Sequence, residues 1–193
     1  MKTDSMNYFE AGINITAALK YEGDDINTDL IHNPAYFTIK RENLSSKLIT
    51  DDKKNMMASE GEVYPDTDAV KVAVIAGRNF GIGSSRYSTV LALKNSGVVM
   101  ACSESLSRIF ERNLAAAGIF PVRLTVSKNE ISREFPEGAS IKFNFKNIEK
   151  TSNVEVVALR GAKTTGLIIG TLPFFLFDIA ANGGMVKWLA KRV

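Results

Sequence analysis

The chain has 193 residues, 45% hydrophobic and 23% charged, with one cysteine and a formal net charge of +3. That length suits one domain whose core needs no covalent or metal staple. The mild charge excludes a basic nucleic-acid footprint, because Lys40-Arg41 is followed by Glu42 and Lys53-Lys54 is preceded by Asp51-Asp52.

In chain order, a single domain is expected over residues 1–193, with residues 1–12 a poorly ordered N-terminal extension. That extension carries acids and no apolar run of the secretory kind. Ile13 to Tyr21 reads as a strand, ended by Glu22-Gly23-Asp24-Asp25. Residues 51–69 are polar, with a turn at Pro65-Asp66. Val70 to Ala76 is a short, largely apolar and β-branched run, the pattern of a buried strand. Tyr87 to Lys94 reads as a helix closed by Asn95-Ser96-Gly97, and Val98 to Cys102 as the next strand. Ser103 stands as N-cap of a helix running to Ala117, with Leu106, Ile109, Phe110 and Leu114 apolar. Gly118 ends that helix, and Ile119 to Val126 forms another strand.

Ser140 to Phe145 alternates in polarity, and Val154 to Leu159 is a further strand. Gly166 to Phe177 is the most apolar stretch, but Pro173 interrupts it and it falls well short of the roughly 20 residues a spanning helix requires. Pro173 takes the first helical position before Phe174 to Ala181, Gly183-Gly184 stops that helix, and a short basic tail follows. The middle of the chain is thus strand–helix–strand–helix–strand. This predicts an α/β fold with a parallel-sheet core, flanking helices and additional strands at both ends. The lone Cys102 excludes an intramolecular disulfide and fits a reducing, cytoplasmic setting.

Gly81-Ile82-Gly83-Ser84-Ser85-Arg86 lies where a parallel strand gives way to a helix, the place where open α/β sheets bind ligands. Glycines let a ligand approach the backbone, free N–H groups favour an anion, and Arg86 offers a planar fork for a carboxylate or phosphate. The loop lacks the lysine of a nucleotide-binding Gly-x-x-x-x-Gly-Lys-Ser/Thr motif. It also lacks the third glycine of a dinucleotide fingerprint and has no Gly-x-Ser-x-Gly elbow. The bland alternative is a plain junction with Ser85 as N-cap and Arg86 in a surface salt bridge. Upstream, Asp25-x-Asn27-x-Asp29 opens like a calcium loop, but Leu30 and Tyr36 stand where glycine and glutamate are needed, leaving a solvated strand-end loop. His32, the single histidine, reads as a surface or hydrogen-bonding group, and with one cysteine it cannot build a zinc site.

The segments GDDINTDLIHNPAYF, AGRNFGIGSSR, SLSRIFERNLAAAGIFPV and IAANGGMVKWL occur in the order found in one family. From about residue 13 to residue 190 the chain resembles the small subunit of 3-isopropylmalate dehydratase, a swivel domain of the aconitase superfamily. The resemblance implies a swivelling β/β/α domain of the aconitase C-terminal type. It also implies a large partner subunit carrying a 4Fe–4S cluster, with no metal or cofactor on this chain. One thiol cannot hold such a cluster, which takes three or four ligands.

The implied reaction interconverts 2- and 3-isopropylmalate by dehydration and rehydration in leucine biosynthesis. Competing implications are a related dehydratase or isomerase of another malate or citrate analogue, and an inactive swivel-domain partner. By resemblance, Ser84 is the base that removes the proton α to a carboxylate, and Ser85 and Arg86 hold a carboxylate. Asp29 organises the arginine, and Asn79, Gly81 and Gly83 shape the turn. A specificity loop falls on Tyr36-Phe37-Thr38-Ile39, where Phe37 and Thr38 would face the substrate. Relatives acting on an extra carboxylate tend to have arginine in place of Thr38. The chain departs from the family at Tyr87-Ser88-Thr89, where Glu-His-Ala is usual, and at Ile82, where cysteine is common.

Overall fold

Among the described residues, eight strands form one mixed sheet. The computed structural model describes residues 8, 11–15, 17–21, 23–32, 71–83, 86–134 and 140–193. The strands are β1 (Ile13–Ile15), β2 (Ala17–Tyr21), β3 (Val72–Ala76), β4 (Val98–Ser103), β5 (Phe120–Leu124), β6 (Ser140–Asn144), β7 (Asn153–Arg160) and β8 (Lys163–Thr171). Their spatial order is β1-β6-β7-β8-β5-β4-β3-β2. The run β2-β3-β4-β5 is parallel, and every other pairing is antiparallel. The parallel core is therefore as the alternating middle of the sequence predicts.

Ile13–Tyr21, expected as one strand, is two. β1 pairs with β6 and β2 with β3, at opposite ends of the strand order. One residue separates them, so the α-carbons of Ile15 and Ala17 lie within about 7.6 Å. The two edges must therefore meet, and the sheet wraps into a nearly closed barrel.

β3 shows why the sequence reads as an uninterrupted apolar run: all five residues are buried. Ala73 and Ile75 join the barrel interior with Met100, Cys102, Val122 and Phe143. Val72, Val74 and Ala76 join a second core beneath two helices, α2 (Tyr87–Asn95) and α3 (Arg108–Ala117). A parallel strand covered on both faces has no polar side to alternate with. In the interior, the rings of Phe120, Phe145 and Phe177 lie 5.1–5.6 Å apart. Each buried phenylalanine contributes about 1.5–3 kcal/mol.

Several boundaries differ from expectation for local reasons. Ser103 ends β4, and the N-cap of α3 is Ser107. Ser103 Oγ instead donates to the Ser105 carbonyl, holding an intervening loop. Leu106 precedes α3 and bridges to Phe80, and Ile109 is exposed, so the buried side of α3 is carried by Phe110 and Leu114. Gly118 ends α3 with a left-handed φ of 87°. Pro173 is the N-cap, not the first turn, of the helix Phe174–Ala181.

β8 was not anticipated, because Gly166 and Gly170 break its apolar pattern. Both face inward, where an added Cβ would lie 2.4 Å from the Glu134 carbonyl and 2.6 Å from Val122 Cγ1. Also unanticipated were the short helices α1 (Thr28–Ile31), α4 (Lys128–Glu134), α5 (Ile148–Thr151) and α7 (Met185–Ala190), with Phe174–Ala181 as α6. No helix among the described residues is long and apolar enough to cross a membrane.

Candidate active site

β2, β3 and β4 run parallel and end at the same edge of the sheet, so the loops that follow them lie side by side. Asp24–Asp29 is a partly solvated loop, with Asp25 and Asp29 exposed and Thr28 buried, but it is not irregular. It continues the β2–β3 pairing beyond the strand ends, with Asp25 N–H donating to the Arg78 carbonyl (2.8 Å), Gly81 N–H to Ile26 (2.8 Å) and Thr28 N–H to Ile82 (2.9 Å). On the other side, Phe80 N–H donates to the Ser105 carbonyl, and Ser107 N–H to Phe80, both at 3.0 Å. Two stretches whose paired residues the sequence presents more than 50 positions apart thus form one ladder, seated on the loop after β4.

Side chains lock this ladder. Arg78 places Nε and Nη2 at 3.1 and 2.8 Å from Asp24 Oδ2, while its backbone N–H donates to Asp24 Oδ1 at 2.9 Å. The carboxylate raises the Arg78 pKa, first by hydrogen bonding and then by its charge. Asn79 Nδ2 donates to Asp25 Oδ1 at 2.7 Å, and both residues have positive φ (54° and 59°). Asn and Asp tolerate that conformation better than other side chains because they hydrogen-bond locally.

Two glycines are dictated by contact. A Cβ on Gly77 would meet Asp24 Oδ1 at 2.3 Å, and one on Gly81 (φ 77°) would meet the Phe110 ring at 2.1 Å. Phe110 in turn packs edge-on against Phe80, with centroids 5.5 Å apart. Gly83 has φ 101° and its nearest neighbours are at ordinary contact distance, so backbone conformation alone calls for glycine there.

The two segments end in an ion pair. Asn27 is the N-cap of α1, accepting from the N–H groups of Asp29 and Leu30 at 2.9 Å each. This sets Asp29 in the first turn, where its Oδ1 accepts from Arg86 Nη1 at 2.7 Å. Arg86, rather than Ser85, is the N-cap residue of α2, and its side chain makes no capping hydrogen bond. With the two side chains 45% and 39% exposed, the pair adds about 0–1 kcal/mol to stability. Its consequence is orientation: a planar fork held at the start of a helix, open to solvent, at the C-terminal ends of parallel strands.

Of the residues read from the sequence, Asp29, Arg86, Asn79, Gly81 and Gly83 come together here. Ser84, Ser85, Phe37 and Thr38 lie outside the described residues. Arg78, Asp24, Asp25 and Ser105 were missed as parts of the site. The Asp-x-x-Thr-Asp spacing was the available signal for the first loop, but nothing local pairs it with Arg78. His32, expected at the surface or in a hydrogen bond, is 1% exposed at the C-cap of α1, and burial lowers its pKa. Cys102 is fully buried in the barrel interior, and burial raises its pKa far above the ordinary thiol value. A four-iron cluster takes three or four thiolate ligands, so this chain's single cysteine does not fit one.

A family model for the aconitase C-terminal domain matches residues 24–127, a span that begins at the Arg78 partner and takes in both loops. The chain belongs to the aconitase C-terminal domain family. It is 33% identical over 181 residues to a 3-isopropylmalate dehydratase small subunit from Metallosphaera sedula, covering 90% of this chain and 94% of that one. It is 29% identical to a methanogen homoaconitase small subunit from Methanocaldococcus jannaschii, with 88% of each covered. The crystal structure of a 3-isopropylmalate dehydratase from the same organism superposes with a TM-score of 0.68 at 28% identity, covering 93% of this chain and 95% of that one. The matched span covers β3–β5 with α1, α2 and α3, and the paired loops lie within it at the C-terminal ends of the parallel strands.

Proposed function

We propose that this chain is the small subunit of a two-subunit hydro-lyase that interconverts 2- and 3-isopropylmalate in cytoplasmic leucine biosynthesis. The observation that carries the reading is the Arg86–Asp29 pair, held open at the end of two interlocked loops. A guanidinium fork suits a substrate carboxylate. The near full-length similarity to small subunits of that name supports the choice of reaction.

In this reading Arg86 and Ser85 bind and orient the substrate carboxylate, and Asp29 keeps the guanidinium in register. Ser84 removes the proton α to a carboxylate. An isolated serine is far too weakly acidic for that, so its conjugate base needs donors around it and proximity to the helix start. The large subunit supplies the 4Fe–4S cluster and the site for the departing hydroxyl. Leu30, Tyr87 and Ile109 are exposed in the first turns of α1, α2 and α3, all at the site's end of the sheet. This apolar rim suits burial against that subunit.

Reconstitution tests the reading. Isopropylmalate isomerisation is expected only when the chain is combined with an iron–sulfur large subunit, and Ser84→Ala is expected to abolish turnover while the complex still forms. Turnover by the isolated chain, or full activity in Ser84→Ala, would contradict it.

A further inference from the structure

The opposite end of the sheet, where β3, β4 and β5 begin, holds a cavity of about 600 Å³. Tyr8, Val99 and Phe120 give it an apolar wall, and Lys71, Lys187 and Lys191 are the basic residues among its lining. Among the described residues that line it, none is acidic. Lys71 directly precedes β3, and Lys187 and Lys191 stand one helical turn apart, a spacing that brings like charges together on one face. Every ion pair among the described residues uses arginine, so none neutralises these lysines. The pKa of nearby Lys94 is lowered by burial and then by the charge of Lys187.

Lysines at this end could serve only to offset the carbonyl ends of α3 and α6. Those ends are capped by other groups. The carbonyls of Leu114, Ala115 and Ala117 accept from Ile119 N–H, Gly118 N–H and Lys94 Nζ. Those of Asp178, Ile179 and Ala180 accept from the N–H groups of Asn182, Gly184 and Gly183. Lys191 Nζ donates to Asn182 Oδ1 at 2.8 Å, which fixes it on the cavity wall. None of these capping hydrogen bonds comes from Lys71 or Lys187.

We propose that this cavity is a second ligand site, separate from the Arg86 loop, for a small organic anion with a phosphate or carboxylate group beside an apolar part. The volume lies within the range of small-molecule sites. Strongly hydrated ammonium groups suit a multivalent anionic head, and the aromatic wall suits the rest of the molecule. The inference does not depend on the hydro-lyase reading.

Phenyl phosphate is a suitable probe, titrated into the isotopically labelled full chain and followed by NMR and calorimetry. Expected are one saturable site, amide shifts at Gly118, Asn182 and Gly183, and at least tenfold weaker binding of inorganic phosphate and of phenol. The double variant Lys71→Gln/Lys187→Gln is expected to lose at least tenfold in affinity. Should that variant fold poorly, the shifts of the wild-type chain decide. No saturable binding, shifts confined to residues around Asp29 and Arg86, or undiminished affinity in a folded double variant would overturn the proposal.

Discussion

At Gly81 two constraints coincide: a left-handed φ of 77° and a phenylalanine ring where a side chain would go. Gly81→Ala is therefore expected to destabilise the chain by about 2–4 kcal/mol, from backbone strain and overpacking together. Urea unfolding would measure it, and a loss below about 0.5 kcal/mol would show that Phe110 moves aside at little cost. The glycine-serine loop was legible in the sequence because glycine, asparagine and arginine are chemically specific at a strand–helix junction. Its partner Asp24 was not, since an Arg–Asp pair across 54 positions leaves no local trace. Thr38 makes a different prediction. If the proposed specificity loop falls on it, a neutral residue there would leave an additional carboxylate unpaired and favour an alkyl malate, as burying an unpartnered charge costs several kcal/mol. Thr38→Arg should shift relative kcat/KM from isopropylmalate toward homocitrate, and an unchanged ratio would show that the loop assignment is out of register.

Among the elements, α1 is held by its cap more than by its length. Four residues cannot sustain a helix in isolation, yet Asn27 satisfies two backbone donors at its start. Asn27→Ala should cost about 1 kcal/mol and lower kcat/KM through misplacement of Asp29. Asn27→Asp, which can still cap, should restore most of both. If Asn27→Ala leaves catalysis intact, α1 does not position Asp29. The contrast between β3 and β8 shows why some elements were readable. β3 is apolar throughout, as burial on both faces dictates, whereas β8 uses glycines where neighbouring chain approaches closely. Close approach is a tertiary property and looks locally like a break. Likewise Ser103, a good cap by type, was recruited to hold the Ser105 carbonyl, and the cap fell to Ser107. The helix Met185–Ala190 follows two glycines that read as a stop, and it is tied down from afar by Trp188 Nε1 donating to Asp178 Oδ2 at 2.6 Å.

For the molecule as a whole, a near-closed barrel brings residues 13–15 and 17–21 to opposite strand partners, a topology no periodicity reveals. Its stability should depend on pH through His32, whose pKa is lowered by burial. The unfolded chain takes up a proton as pH falls through about 6.5, before the folded chain does. The His32 contribution is thus complete above that pH and declines below it. Melting temperature should fall between pH 7.5 and 5.5, with a shallower fall in His32→Gln; equal slopes would assign the dependence to other groups. The central claim is that two distant loops interlock to present Arg86, through Asp29, to a substrate carboxylate. A double-mutant cycle on the reconstituted enzyme tests it most directly, with kcat/KM measured for Arg86→Lys, Asp29→Asn and the double variant. Arg86→Lys should lose at least about 100-fold, because a point charge cannot reproduce a planar fork, and the double variant should lose far less than the product of the single losses. Near-normal kcat/KM in Arg86→Lys, or losses that simply multiply, would contradict the account.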